Sequence, residues 1–189
     1  MRTFIALELP TAFAYDVSVL AQRLSRVIDA RFVDRENHHI TLAFLGDIDE
    51  AQSSTAIAAM NAAIGFAKPV PLTCTGLGKF GRRSDATLWL GIKNVPELEK
   101  LVTGLRGLLD RRGIEFDNRE FKPHVTLARR ARLTNIELPA LPFPDDGIAT
   151  KVTLFKSELS REGAHYKPLY SIELSGSHLN WLKQDDSER

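Results

Sequence analysis

The tetrapeptide His39-Ile40-Thr41-Leu42 returns as His124-Val125-Thr126-Leu127, 85 residues further along the chain. A pair of His-x-Thr-Leu segments arises by chance in roughly one chain of this length in a few thousand. The surroundings repeat with it. Thr3 to Leu9 alternates as a strand does, Pro10-Thr11 ends it, and Phe13, Val17, Leu20, Leu24 and Val27 follow at helical spacing before the His39 strand. In the second half Thr87 to Ile92 reads as a strand. Pro96 then opens a helix carrying Leu98, Leu101, Val102, Leu105 and Leu109, Gly113 stops it, and the His124 strand follows. The same offset of 85 carries Ile5 onto Leu90. Order and spacing together imply a duplicated strand-helix-strand unit and two similar lobes related by an approximate two-fold axis. Two copies at so long a period exclude a solenoid.

Further elements fill in around this frame. A helix bearing Ile57, Met60 and Ile64 ends at Gly65, and strands are expected at Val70 to Cys74, Lys151 to Leu159 and Tyr166 to Ser175. Gly76 to Asp85 reads as a glycine-rich surface loop whose Lys79, Arg82 and Arg83 can meet an anion. Leu138 to Pro144 is proline-rich and irregular, and the end of the chain is a polar tail. Residues 1–180 are read as one bilobal domain and residues 181–189 as that tail.

Composition excludes several functions. A net charge of +1 rules out a globally basic nucleic-acid coat, so phosphate binding has to be local. Basic residues cluster at Arg82-Arg83, Arg111-Arg112, Arg129 to Arg132 and Lys151 to Lys156. One cysteine, Cys74, excludes an internal disulfide and a cysteine-rich metal cluster and fits a reducing cytoplasm. The N-terminal stretch, interrupted by Glu8, reads as a first strand and not as a signal peptide, and no apolar run reaches the ~20 residues of a membrane span.

On a strand, period-two alternation sets His39, Thr41 and Ala43 on one face and Ile40, Leu42 and Phe44 on the other. The second copy separates His124, Thr126 and Ala128 from Val125 and Leu127 in the same way. The apolar faces are expected to pack under helices, leaving a His/Thr/Ala face towards an open cleft. Were the two-fold axis to pass near these strands, both imidazoles would converge on that cleft. Histidine titrates near neutrality, so one copy can act as base and the other as acid. Such a pair suits in-line displacement at phosphorus, with threonine hydroxyls donating to the non-bridging oxygens. That scheme needs no metal or other cofactor. A histidine metal site is the alternative chemistry, but neither copy is accompanied by a second ligand at metal-site spacing. His38 falls on the opposite parity and reads as structural or solvent-facing; His165 and His178 carry no pattern.

At these residues the chain resembles the two-histidine phosphoesterase superfamily, and within it the RNA 2′,3′-cyclic phosphodiesterases, also called 2′-5′ RNA ligases. The stretches that carry the resemblance are Arg2 to Pro10, Asn37 to Gly46, Leu88 to Gly91, Phe121 to Arg129, Phe155 to Ser157 and the Gly163 to Tyr166 turn. It implies an α+β, duplicated bilobal fold, with two antiparallel sheets flanked by helices and an active-site cleft between the lobes. It also implies hydrolysis of a 2′,3′-cyclic phosphate, on an RNA end or a nucleotide, to a 2′-phosphate without a cofactor. His39 is then the proton donor to the departing 3′-oxygen and His124 the proton acceptor that activates water. Thr41, Thr126 and, by the same resemblance, Arg129 bind the phosphate. Strict alternation puts Arg129 on the face away from His124, so it reaches the phosphate only where the strand bends near Ala128. Phe4 and Phe44 offer either a base-stacking surface or core packing, and packing is the expected role. Two alternatives remain: 2′-5′ ligation of RNA ends, and a nucleotide- or RNA-binding module without turnover. A cytoplasmic monomer with no obligate protein partner and no membrane association is expected, since the duplication already supplies the two-fold arrangement of a dimer.

Overall fold

The computed structural model describes residues 1–160 and 163–175. The expected tail at 181–189 and His178 lie outside the described residues. The elements run β1 (Arg2–Glu8), α1 (Thr11–Ser25), β2 (Arg31–Phe32), β3 (His39–Asp47), α2 (Glu50–Ile64), β4 (Val70–Leu72), β5 (Cys74–Arg82), β6 (Asp85–Ile92), α3 (Pro96–Arg111), β7 (His124–Ala131), β8 (Gly147–Ala149), β9 (Lys151–Ser160) and β10 (Gly163–Glu173), with a 3-10 turn at Arg35–Asn37 ahead of β3.

The helices start where local chemistry starts them. Asp49 caps α2 by accepting the Gln52 backbone N–H at 2.8 Å while the Gln52 side chain accepts from the Asp49 N–H at 3.0 Å, a reciprocal capping box. Pro96 occupies the first turn of α3, where its missing N–H costs nothing. Phe13, Val17, Leu20 and Leu24 of α1, and Leu98, Leu101, Val102, Leu105 and Leu109 of α3, are buried against the strands as their spacing predicts.

The main sheet is antiparallel and runs β10-β9-β1-β3-β7-β6-β5, with β2 also on β7; β4 and β8 form a separate two-stranded sheet. The first lobe contributes β9-β1-β3 and the second β7-β6-β5, in mirrored order. These half-sheets meet at one register pair, Ile40↔Val125. Ile40 and Val125 are also mates under the offset of 85, so the pseudo-two-fold axis passes between them.

Gly76 to Asp85, expected as a loop, is instead largely strand β5 and its hairpin into β6. Its glycines have strand-specific roles. Gly76 sits with φ at 111° where the register with β6 shifts, Gly81 turns the hairpin with φ at 84°, and Gly78 lies under the Trp89 ring.

Both motif strands depart from strict alternation, and at the same place. Between β1 and β3 the register passes from Ile5↔Ala43 to Ala6↔Thr41, leaving Leu42 as an extra residue. Between β6 and β7 it passes from Trp89↔Thr126 to Leu88↔Ala128, leaving Leu127 extra. Leu42 and Leu127 are again mates under the offset. Each bulge turns two successive residues inward, so Leu42 with Ala43 and Leu127 with Ala128 are all fully buried. The expected placing of Ala43 and Ala128 on the open face, and of Phe44 on the core face, is corrected accordingly. Phe44 and Arg129 emerge on the cleft side.

Candidate active site

Pairing Ile40 with Val125 in an antiparallel ladder sets His39 across from Thr126 and Thr41 across from His124. Directly opposed side chains stand about 5 Å apart at Cβ, so the two His-Thr pairs form a quadrilateral about the pseudo-two-fold. Thr41, His124, Thr126 and Arg129 line one cleft of about 670 Å³, together with Arg2, Phe44, Phe80, Arg106, Phe121 and Lys122. His39 lines the adjoining pocket of about 300 Å³, beside Glu8, Arg35, Phe155 and Tyr166. Its Nε2 reaches the Thr41 hydroxyl at 3.0 Å, and Thr41 opens onto the larger cleft. Of the residues expected to act on a phosphate, all but His39 therefore share one cavity, and His39 touches it through Thr41.

The chain orients both rings in the same way. His39 Nδ1 lies 2.7 Å from the Asn37 carbonyl and His124 Nδ1 lies 2.5 Å from the Lys122 carbonyl, in each case two residues back. A carbonyl only accepts, so Nδ1 carries the hydrogen in both rings and Nε2 is left to accept or exchange a proton. The aromatic surroundings are related as well. Phe4 stacks on His39 with centroids 4.8 Å apart, and Trp89 lies 5.8 Å from His124, although the pairings Ala6↔Thr41 and Trp89↔Thr126 make Ala6 and not Phe4 the two-fold equivalent of Trp89. Tyr166 meets His39 edge-on at 5.4 Å, and Phe80 meets His124 edge-on at 5.1 Å. Phe4 is thus a core residue that also bounds the site.

Burial among these rings disfavours the charged imidazole. It pushes the His39 pKa down to about 4 against a weaker opposing effect of the Asn37 carbonyl, with His38, His124 and Arg129 adding repulsion. His124 is lowered in the same direction, first by burial and then by Arg129, with the Lys122 carbonyl opposing. His38, expected as structural or solvent-facing, is buried, and burial lowers its pKa too.

The lobes exchange main-chain contacts around the site. In the first half, the segment leading to β3 crosses to β7: Arg31 and Phe32 pair with Arg129 and Ala128, and the Val33 N–H donates to the Leu127 carbonyl at 2.8 Å. In the second half, the segment leading to β7 crosses to β3, where the Asp117 N–H donates to the Phe44 carbonyl at 2.9 Å. The Asp117 carboxylate is bound by Arg119, whose hydrogen bonds hold its pKa below the usual carboxylate range. Arg2, Arg106, Phe80, Trp89 and Tyr166 also bound the site, and the motifs do not single them out. Trp89 lies on a strand that the repeat locates, whereas Tyr166 is on a strand outside the duplication.

Among the described residues no group of three or more His, Cys, Asp or Glu side chains is arranged to hold a metal ion, and no helix is long and apolar enough to cross a membrane.

The duplicated antiparallel sheet and the paired imidazoles and hydroxyls at its centre define a phosphoester-handling class of α+β proteins. The chain belongs to the 2′-5′ RNA ligase superfamily, whose family model matches residues 13–142. It is similar to the RNA 2′,3′-cyclic phosphodiesterase of Thermotoga maritima, at 29% identity over 96% of this chain and 100% of the relative. Among solved structures it is similar to Escherichia coli LigT complexed with 3′-AMP, with a TM-score of 0.76, 29% identity, and coverage of 92% of this chain and 98% of LigT. A Thermus thermophilus protein shares the fold at a TM-score of 0.80 and 24% identity, over 94% of this chain and 100% of that one. The α+β antiparallel architecture expected from the sequence is the one found, with its two half-sheets joined edge to edge at the axis.

Proposed function

We propose that this chain is a cyclic phosphodiesterase that hydrolyses the 2′,3′-cyclic phosphate of an RNA end, or of a nucleotide, to a 2′-phosphate. The observation that carries the proposal is the Ile40↔Val125 pairing, which opposes two His-Thr pairs across one pseudo-two-fold axis. The name of the Thermotoga maritima relative and the 3′-AMP held by Escherichia coli LigT support the substrate class.

In this reading the phosphate lies over the axis, where Thr41, Thr126 and Arg129 donate to its non-bridging oxygens. His124 Nε2 takes a proton from water as the water oxygen bonds to phosphorus. The bond from phosphorus to the 3′-oxygen breaks on the opposite side, and His39 Nε2 gives that oxygen its proton. Since burial holds His39 neutral at rest, the anionic phosphodiester supplies the charge that lets it take up the proton. A second reading exchanges the two roles. It is favoured by the pairing itself, which relates His39 and His124 by the pseudo-two-fold axis and so offers an imidazole to either side of the phosphate. The proposal includes a cytoplasmic location, supported by the single free cysteine.

The test is incubation of the protein, with EDTA present, on an oligoribonucleotide ending in 2′,3′-cyclic phosphate, beside His39→Ala and His124→Ala variants. The expected product is the 2′-phosphate, with turnover lost in both variants. A second arm adds RNA bearing a 5′-hydroxyl and looks for the 2′-5′ linkage of the reverse displacement. Absence of turnover by folded wild-type protein in both arms overturns the proposal in favour of a binding module.

A further inference from the structure

The bulge in β3 leaves the Leu42 carbonyl outside the regular ladder with β1, so it needs a partner from elsewhere. That partner is Arg106, a residue of α3 in the other lobe. Its Nε donates to the Leu42 carbonyl at 3.0 Å and its Nη1 donates to the Arg119 carbonyl at 2.9 Å. The guanidinium is held near two rings, 5.7 Å from the Phe116 centroid and 5.6 Å from Phe121, which restricts it to the plane in which both bonds form.

The duplicate shows what is special here. The equivalent carbonyl in the second half, on Leu127, accepts a backbone N–H from Val33 at 2.8 Å. The residue equivalent to Arg106 in the first half is Ala21, which carries no donor. One bulge is closed by main chain and the other by a single side chain reaching across the lobes.

We propose that Arg106 is a positioning residue for Thr41. By fixing the peptide plane that follows Leu42, it fixes the bulge, and the bulge fixes the direction in which the adjacent Thr41 hydroxyl meets His39 Nε2 and the phosphate. This rests on the cyclic phosphodiesterase reading above. Arg106 itself makes no contact with reacting atoms in this scheme; its effect is geometric, and displacement of a reacting group by about 1 Å costs on the order of 10²-fold in rate.

The experiment is a double-mutant cycle on turnover of a 2′,3′-cyclic nucleotide. Arg106→Leu is combined with Thr41→Ala and, separately, with Thr126→Ala, each assayed well below its melting temperature. In the wild-type background Arg106→Leu is expected to lower kcat by about 10²-fold with KM changed less than about threefold. In the Thr41→Ala background the same substitution should cost less than about threefold, because the group it positions is gone, while in the Thr126→Ala background it should keep its full cost. Arg106→Lys keeps the charge and the stem beside Phe121 but loses the fork, and it carries the same cycle where Arg106→Leu does not fold. An equal loss in all three backgrounds, the signature of general loosening, overturns the inference and leaves the phosphodiesterase reading standing. So does a kcat near wild type for both Arg106 variants. A wild-type protein without turnover is the separate outcome that removes the reading and this inference together.

Discussion

Phe44 and Arg129 occupy the same position of the duplicated unit, 85 residues apart, and the bulges before them turn both to the cleft. One site is an aromatic ring with the Arg2 guanidinium 5.1 Å above it; the other is itself the guanidinium. The two halves therefore bring a guanidinium to the cleft by different routes, from Arg129 directly and from Arg2 by way of Phe44. Arg129→Gln is expected to lower kcat/KM by about 10²-fold, the usual cost of losing one donor to developing negative charge. Because Arg129 helps to hold His124 down, the same substitution should raise the His124 pKa. Titration of the ring protons by NMR reads that directly, and an unmoved His124 together with an unchanged kcat/KM would show that the guanidinium does not act on the site.

The pH dependence of turnover follows from the two depressed imidazoles. Acid-base catalysis needs one ring protonated and one neutral, a state whose population in the free enzyme peaks between the two pKa values. His39 lies near 4 and His124 below its ordinary 6.5, so kcat/KM should be maximal on the acid side of 6.5 and fall towards pH 8. Bound anionic substrate raises both rings, which moves the kcat optimum to higher pH than that of kcat/KM. A kcat/KM still rising between pH 7 and 8 would exclude two histidines as the titrating pair.

Stability should respond to the same groups. His38, His39 and His124 are all lowered in the folded chain, so between pH 6.5 and about 4 the unfolded chain binds more protons than the folded one. Stability is then fully present above pH 6.5 and is lost as pH falls through that window. His39 accounts for at most about 3 kcal/mol of the loss. Urea unfolding at pH 7 and pH 4.5 measures it, and His39→Gln should flatten the difference.

The Trp89 ring lies so close over Gly78 that a Cβ there would stand 2.1 Å from it. Gly78→Ala must push the indole, which packs against both Phe80 and His124. A loss of about 1–3 kcal/mol is expected, with turnover reduced through the displaced His124 ring. Gly104→Ala is the contrast. A Cβ at Gly104 on α3 meets nothing within 4 Å, so this substitution should raise stability by about 0.5–1 kcal/mol. Thermal melts of the two variants should move in opposite directions.

Much of this arrangement is legible in the amino-acid sequence. The repeat locates both motif strands, the apolar spacing locates α1 and α3, and parity assigns His39, Thr41, His124 and Thr126 to one face. What escapes has definite physical causes. Alternation carries no mark of an inserted residue, so it assigns Phe44 to the core and brings Arg129 to the cleft only on condition of a bend. Glycines signal turns in most contexts, yet Gly78 is there because an indole needs the space above the backbone, and β5 reads as a loop for that reason. Arg106 stands 64 residues from the carbonyl it binds, and a contact between a helix and a bulge in the other lobe leaves no periodicity to detect.

The matched bulges at Leu42 and Leu127 also bear on ancestry. An irregularity at the same step of both halves is what copying a unit that already held it produces. Two such units facing each other would have presented two identical His-Thr pairs around a shared axis. What separates the halves now is a guanidinium in place of a phenyl ring and a side-chain clamp in place of a main-chain one. Because both halves lie on one polypeptide, one side of the cleft can differ from the other, which two identical subunits do not allow.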